Sequence, residues 1–193
     1  MAYPPLIKNL IEKLQVLPSV GPKTAEQYVF ALKNLSARDI EELADAIHAL
    51  KELTRCQKCL AITDQSTLCE ICANLARDEV LLMVVESEPD LESIEKTARY
   101  QGLYFVLGEV NEQNIQKLIQ RLKVPNSKTR EAILAFDVTP QMELSLFEIK
   151  QALKKAQINI KISRLGRGLP TGGDLRYADT QTLLGALQHR ENV

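Results

Sequence analysis

All four cysteines of the chain, Cys56, Cys59, Cys69 and Cys72, fall in one short stretch, RCQKCLAITDQSTLCEIC, as two C-x2-C pairs separated by nine residues. Two such turns can place four thiolates at the corners of the tetrahedron that structural zinc prefers, so the spacing predicts one Zn2+ per chain. A centre with four sulfurs has no open coordination position: the metal can hold a fold but cannot activate water. A disulfide pair and a thioredoxin-like redox centre are the alternatives, and both fit worse. The N-terminus MAYPPLIKNL shows no targeting pattern, a chain of 193 residues needs no disulfide staple, and neither C-x-x-C follows a strand and opens a helix. A cytoplasmic location is expected.

Phosphate chemistry has a second candidate in Leu17-Pro18-Ser19-Val20-Gly21-Pro22-Lys23-Thr24-Ala25, a turn between two helical patterns with the form of a helix-hairpin-helix. A tight turn at Gly21 exposes backbone N–H groups at the start of the next helix. There the positive end of the helix dipole can hold a DNA phosphate without reading bases, and Lys23 adds a charge beside it. The same hairpin could serve only packing or dimerisation, and Ser19 stands where the first glycine of such turns is usual.

Glu86 and Asp137 each end a strand-like run, and the carboxyl ends of parallel strands converge on the crevice where α/β folds place their sites. The pair resembles the acidic centre of Toprim domains, which hold magnesium with a glutamate after one strand and Asp-x-Asp after another. Asp137-Val138-Thr139 lacks the second aspartate. A magnesium-dependent nuclease or phosphotransferase is therefore an alternative, with Glu86 otherwise a solvated strand end, a helix-dipole contact, a weak metal ligand or a contact for a protein partner. Nucleophilic catalysis has little material: His48 and His189 are the imidazoles available, G-x4-G-K-[ST] is absent, and Gly172-Gly173-Asp174 reads as a turn. The chain is expected not to be an enzyme.

Three helical patterns precede the cysteines. Leu6, Ile7, Leu10, Ile11 and Leu14 mark the first, residues 23–35 the second, and Ser36 with Asp39 caps a third carrying Ile40, Leu43, Ile47 and Leu50. From residue 80 strands and helices alternate: VLLMVV, a helix over Pro89–Tyr100, LYFVL, a helix over Asn111–Leu122, EAILAF, a helix over Pro140–Ala156, INIKIS, and a last helix over about 179–190. The near-continuous apolar runs suit a parallel sheet covered on both faces. The expected architecture is multi-domain α/β: a helical domain over 1–54, a four-cysteine zinc finger over 55–76, a Toprim-like α/β domain over 77–165, and a tail over 166–193 for self-association.

The net charge of -1 gives no general attraction to phosphate, so any nucleic-acid contact must come from clustered charge. Lys150, Lys154, Lys155, Lys161, Arg164, Arg167 and Arg176 are opposed within their span by Asp174 alone, and form either a solvated helix face and loop or a phosphate-binding patch.

The strings LPSVGPKTA, VVESEPDLESIEKT, YQGLYFVLG and RGLPTGGDLRYAD, together with the four cysteines, closely resemble the bacterial RecR family of recombination mediators over nearly the whole chain. The resemblance implies a non-enzymatic protein of recombinational DNA repair that binds DNA without sequence preference. It also implies a ring-like homotetramer encircling DNA, and a role with RecO and RecF in loading recombinase onto gapped DNA. By the same resemblance Lys23 contacts DNA, the four cysteines hold zinc and Glu86 contacts RecO. The chain departs from the family at Gln27, where arginine is usual, at Phe105, where histidine is usual, at Glu109, where a second glycine is usual, and through FDVTPQMELS. A zinc-dependent adaptor that binds only protein is a third reading, favoured by Ser19, Gln27 and the near-zero net charge.

Overall fold

The computed structural model describes residues 3–65, 67–137, 139–166 and 168–190, which form two compact units, one ending at Leu53 and the other starting at Thr54. The first holds α1 (Pro5–Leu14), α2 (Pro22–Lys33), α3 (Ala37–Ala49) and a 3-10 turn at Leu50–Glu52. Proline opens both α1 and α2, where its missing N–H has no helical partner to lose. At α3, Ser36 Oγ accepts from the Asp39 amide while the Asp39 carboxylate accepts from the Ser36 amide, the capping box its sequence predicts. Tyr3 ties the lead-in of α1 to α2, its hydroxyl on the Glu26 carboxylate and its ring edge-on to Phe30 at 5.6 Å. Ala25 and Val29 of α2 are buried, but α3 buries no residue, with Ile47 58% exposed on it and Leu50 62% exposed in the turn that follows.

The second unit begins with the antiparallel pair β1 (Thr54–Arg55) and β2 (Ile62–Thr63) and the one-turn helix α4 (Glu70–Ala73). A wholly parallel sheet follows: β3 (Asp78–Val85), β4 (Gly102–Val106), β5 (Glu131–Ala135) and β6 (Lys161–Arg164), in the order β4-β3-β5-β6. Helices α5 (Glu88–Glu95), α6 (Glu112–Leu122) and α7 (Pro140–Lys155) connect the strands, and α8 (Thr180–Gln188) lies near the end of the chain. Asn111 and Thr139 cap α6 and α7 by accepting from the amides of Asn114 and Met142.

The two-residue period of the strands sorts the core into two faces. Leu82, Val84, Leu103, Phe105 and Leu134 cluster with apolar side chains of α6 and α7. Met83, Val85, Tyr104, Val106 and Ala135 cluster instead with Leu91 of α5 and the four cysteines. Helix α5 stops at Glu95, short of the predicted Tyr100. The Thr97 hydroxyl donates to the Ile94 carbonyl at 2.7 Å, and Ala98 takes a φ of 52°, which turns the chain out of the helix. Arg77 secures this exit: its guanidinium pairs with the Glu95 carboxylate and donates to the carbonyls of Tyr100 and Gly102 at 3.2 and 3.3 Å. The bond from Arg77 holds the Glu95 carboxyl below the usual range, against its partial burial.

Gly102 sits at the tightest point of this crossing. A Cβ there would overlap the Tyr100 phenol and lie 2.8 Å from the Leu81 carbonyl oxygen of the neighbouring strand. The phenol can turn aside but the strand backbone cannot. Gly102→Ala is expected to lower the unfolding free energy by about 1–3 kcal/mol, read from the shift of a urea midpoint, and an unshifted midpoint would show that β3 and β4 separate at no cost.

Candidate functional site

The cysteines sit on two backbone turns held by their own hydrogen bonds. In the first, the Cys56 amide donates to the Ala61 carbonyl and the Leu60 amide to the Cys56 carbonyl, both at 2.9 Å, with Leu60 at a φ of 63°. In the second, Cys69 precedes α4 and accepts from the Ala73 amide at 3.0 Å, and Cys72 lies on that helix. A bond from the Gln57 amide to the Thr67 carbonyl joins the two pieces. All four Sγ atoms lie within 4.8 Å of one another, Cys59 and Cys69 are 3.5 Å apart sulfur to sulfur, and all four residues are buried free thiols. A tetrahedron with Zn–S bonds of about 2.3 Å has edges of about 3.8 Å, so the cluster has the size of a zinc cage.

Its electrostatics ask for a cation. Burial opposes ionisation of Cys56, yet the amides of Cys69, Cys59 and Lys58 are directed at its sulfur and hold that thiol down to about 7. Cys59 is pushed up by its bond with Cys72 and by burial, and burial with the charge of Cys59 pushes Cys69 up to about 11. The Cys56 thiolate forms readily, while Cys59 and Cys69 ionise against neighbouring sulfurs, a repulsion that a divalent ion at the centre removes. The four cysteines are thus positioned to hold a metal ion, and an all-sulfur, closed donor set suits zinc.

The turns are fastened to the sheet. The Val106 amide, at the end of the edge strand β4, donates to the Cys59 carbonyl at 2.8 Å. Glu88, in the first turn of α5, accepts from both the Ile62 amide and the Arg55 guanidinium at 3.2 Å.

Glu86 and Asp137 follow β3 and β5, which pair directly with Val85 opposite Ala135, so both acids stand at the carboxyl end of adjacent strands. Glu86 is half-buried and Asp137 exposed; Val138 lies outside the described residues. Asp137 lines a hollow of about 230 Å³ with Glu143 and Arg164, to which Glu86 does not contribute. Among the described residues only the four cysteines gather three or more metal-capable side chains.

In the first unit Gly21 is the N-cap of α2 and offers no side-chain cap. The Ala25 amide is the first to find a helical acceptor, on Gly21 at 2.9 Å, leaving the Lys23 and Thr24 amides without one among the described residues. Lys23 is exposed beside them. Ser19 takes a φ of 64°, which explains why glycine is usual at this position.

The basic segment is largely neutralised where it meets the sheet and tail. Lys161 pairs with Glu131 at 3.1 Å, Arg164 with Glu143 at 3.0 Å and Arg176 with Asp174 at 2.6 Å. Lys150, Lys154 and Lys155 are exposed on α7, and Arg167 lies outside the described residues. A different basic group, Lys58, Lys117, Arg121 and Lys128, surrounds a cleft. Its members are scattered over the sequence, and no run of like charge marks them.

A hairpin-bearing helical unit, a closed cysteine cluster and a parallel sheet with acids at its carboxyl end define a protein that joins a helix-hairpin-helix to a Toprim domain. Models for the RecR helix-hairpin-helix, the Toprim domain and the RecR C-terminal region match residues 7–51, 81–165 and 168–191. The chain is 40% identical to the recombination protein RecR of Bifidobacterium adolescentis over 100% of its own length and 99% of that protein. It is 39% identical to that of Gloeothece citriformis over 100% and 98%, and 40% identical to that of Roseiflexus sp. over 98% and 95%. The chain belongs to the RecR family of recombination proteins, mediators in DNA repair.

Cys59→Ser removes a ligand at the point where the cysteine turns are fastened to β4. It is expected to lose the metal and to lower stability by several kcal/mol, while elemental analysis of the wild-type protein returns one zinc per chain. Wild-type protein purified without chelator and free of zinc would contradict this assignment.

Proposed function

We propose that this chain is a non-enzymatic, sequence-independent DNA-binding mediator that closes as a ring of two or four copies around DNA. With RecO- and RecF-like proteins it promotes recombinase loading in the cytoplasm. The observation that carries the DNA contact is the start of α2, where uncapped amides and exposed Lys23 follow Gly21 in a family whose named members are recombination proteins. Cys56, Cys59, Cys69 and Cys72 hold a structural zinc. Glu86 and Asp137 serve a partner contact or a weak magnesium site, since two carboxylates fall short of the three that phosphoryl transfer uses in Toprim enzymes. No helix among the described residues is long and apolar enough to cross a membrane.

Assembly is supported by exposed apolar side chains: Ile40, Leu43, Ile47 and Leu50 around α3, and Leu175, Tyr177 and Leu187 in the tail, with Tyr177 85% exposed. The segments 1–54, 55–76, 77–165 and 166–193 are assigned as hairpin domain, zinc finger, Toprim-like domain and self-association tail. Each copy offers few phosphate contacts on a chain of net charge -1, so a ring raises affinity through effective concentration.

Lys23→Ala is expected to weaken binding to all DNA sequences about equally and to make the salt dependence shallower by about one unit for each phosphate the side chain no longer neutralises. Titrations at several salt concentrations measure it, with supercoiled DNA and magnesium as one substrate, which is expected to stay un-nicked. Unchanged affinity and slope would remove the hairpin from the DNA site. Nicking abolished by Glu86→Ala would make the protein an enzyme.

A further inference from the structure

We infer that the cleft between the cysteine turns and the loop after α6 is a docking site for an acidic peptide segment of a partner protein that carries an apolar anchor residue. The cleft encloses about 370 Å³ and lies wholly within the second unit, toward the amino ends of β3 and β5, where Glu79 and Thr129 line it. It is therefore separate from the acids at the carboxyl ends of the same strands.

Its charge is opposite to that of the chain. Lys58, Lys117, Arg121 and Lys128 line it against a single acid, Glu79, an excess of three positive charges in a protein of net charge -1. Lys128 bonds Glu79 at 2.7 Å, and the Glu79 carboxyl is held below its usual range by Lys128 first, then by Lys58 and Arg121, whose fields meet in the cleft. Lys117 turns to the Asn114 side-chain oxygen at 3.0 Å. Neither Lys58 nor Arg121 has a carboxylate partner among the described residues, and Arg121 Nε is buried with no acceptor. An unpaired cation beside a cavity is a standing demand for an anion.

The floor decides which anion. It is mainly aliphatic: Leu60, Leu103, Val124 and Pro125, with Val124 49% exposed. Phe105 also lines it but is only 2% exposed, too little for a base to stack on its ring. A short, half-open cleft with apolar lining and a cationic rim takes one side chain flanked by carboxylates, whereas a nucleic-acid strand calls for a longer track of phosphate contacts and exposed ring faces.

The test uses the full-length, zinc-loaded protein and fluorescence anisotropy with three labelled probes: a peptide of alternating aspartate and leucine, its asparagine-for-aspartate counterpart, and single-stranded oligo-dT. The acidic peptide should bind saturably and less well as salt rises, and its asparagine counterpart at least about tenfold more weakly. Lys117→Glu with Lys128→Glu, both exposed positions, should cost about tenfold or more, as should Val124→Asp. Zinc content and far-ultraviolet circular dichroism of these variants should match the wild type. No binding of the acidic peptide up to about 1 mM, equal binding of the two peptides to the wild type, or oligo-dT bound in its place with the same sensitivity to Lys117→Glu and Lys128→Glu would overturn the assignment.

Discussion

The parallel sheet has two faces to cover, and the chain supplies helices unequally. Helices α6 and α7 close the first face with two full rows of apolar side chains, but only α5, eight residues long, is placed on the second. The four cysteines complete that cover, packing with Met83, Val85, Tyr104 and Val106, and one backbone bond, from the Val106 amide to the Cys59 carbonyl, ties them to the edge strand β4. A cover that small cannot be held by its own buried area. The four cysteines are positioned to hold a metal ion, and such an ion would draw the turns together over this face.

The arrangement also distributes charge along the sheet. Glu86 and Asp137 stand where β3 and β5 end, while the basic cleft opens near where the same strands begin. Lys58 lies between two of the sulfur ligands and Leu60 directly after the second, so a metal that fixes the turns also fixes one wall of the cleft. The helical unit offers amides and one lysine at the start of α2, and an amphipathic helix, α3, that buries no residue.

Local signals were legible because local physics makes them. Ser36 with Asp39, Asn111 and Thr139 announce helix starts, Pro22 marks another, and the spacing of the cysteines points to a metal cage before any fold is known. What escaped depends on partners distant in sequence. Helix α5 ends early through Thr97, Ala98 and a clamp from Arg77, which nothing in its own periodicity reveals. The basic run over 150–176 invites a phosphate-binding interpretation, yet Lys161 and Arg164 answer Glu131 and Glu143 across the sheet and its helix. The cleft cations converge from one helix and two loops, and only the fold brings them together.

The central claim is that metal in the cysteine cluster holds the second cover on the sheet, and the Val106 amide reports on it directly, because it donates to the Cys59 carbonyl across that junction. Native-state hydrogen exchange at Val106, before and after complete metal removal by a chelator, is the decisive measurement. Protection should be strong with zinc bound and collapse in the metal-free protein, with the collapse spreading to Met83 and Val85 beneath the sulfurs. Protection at Val106 that survives full removal of the metal would contradict it.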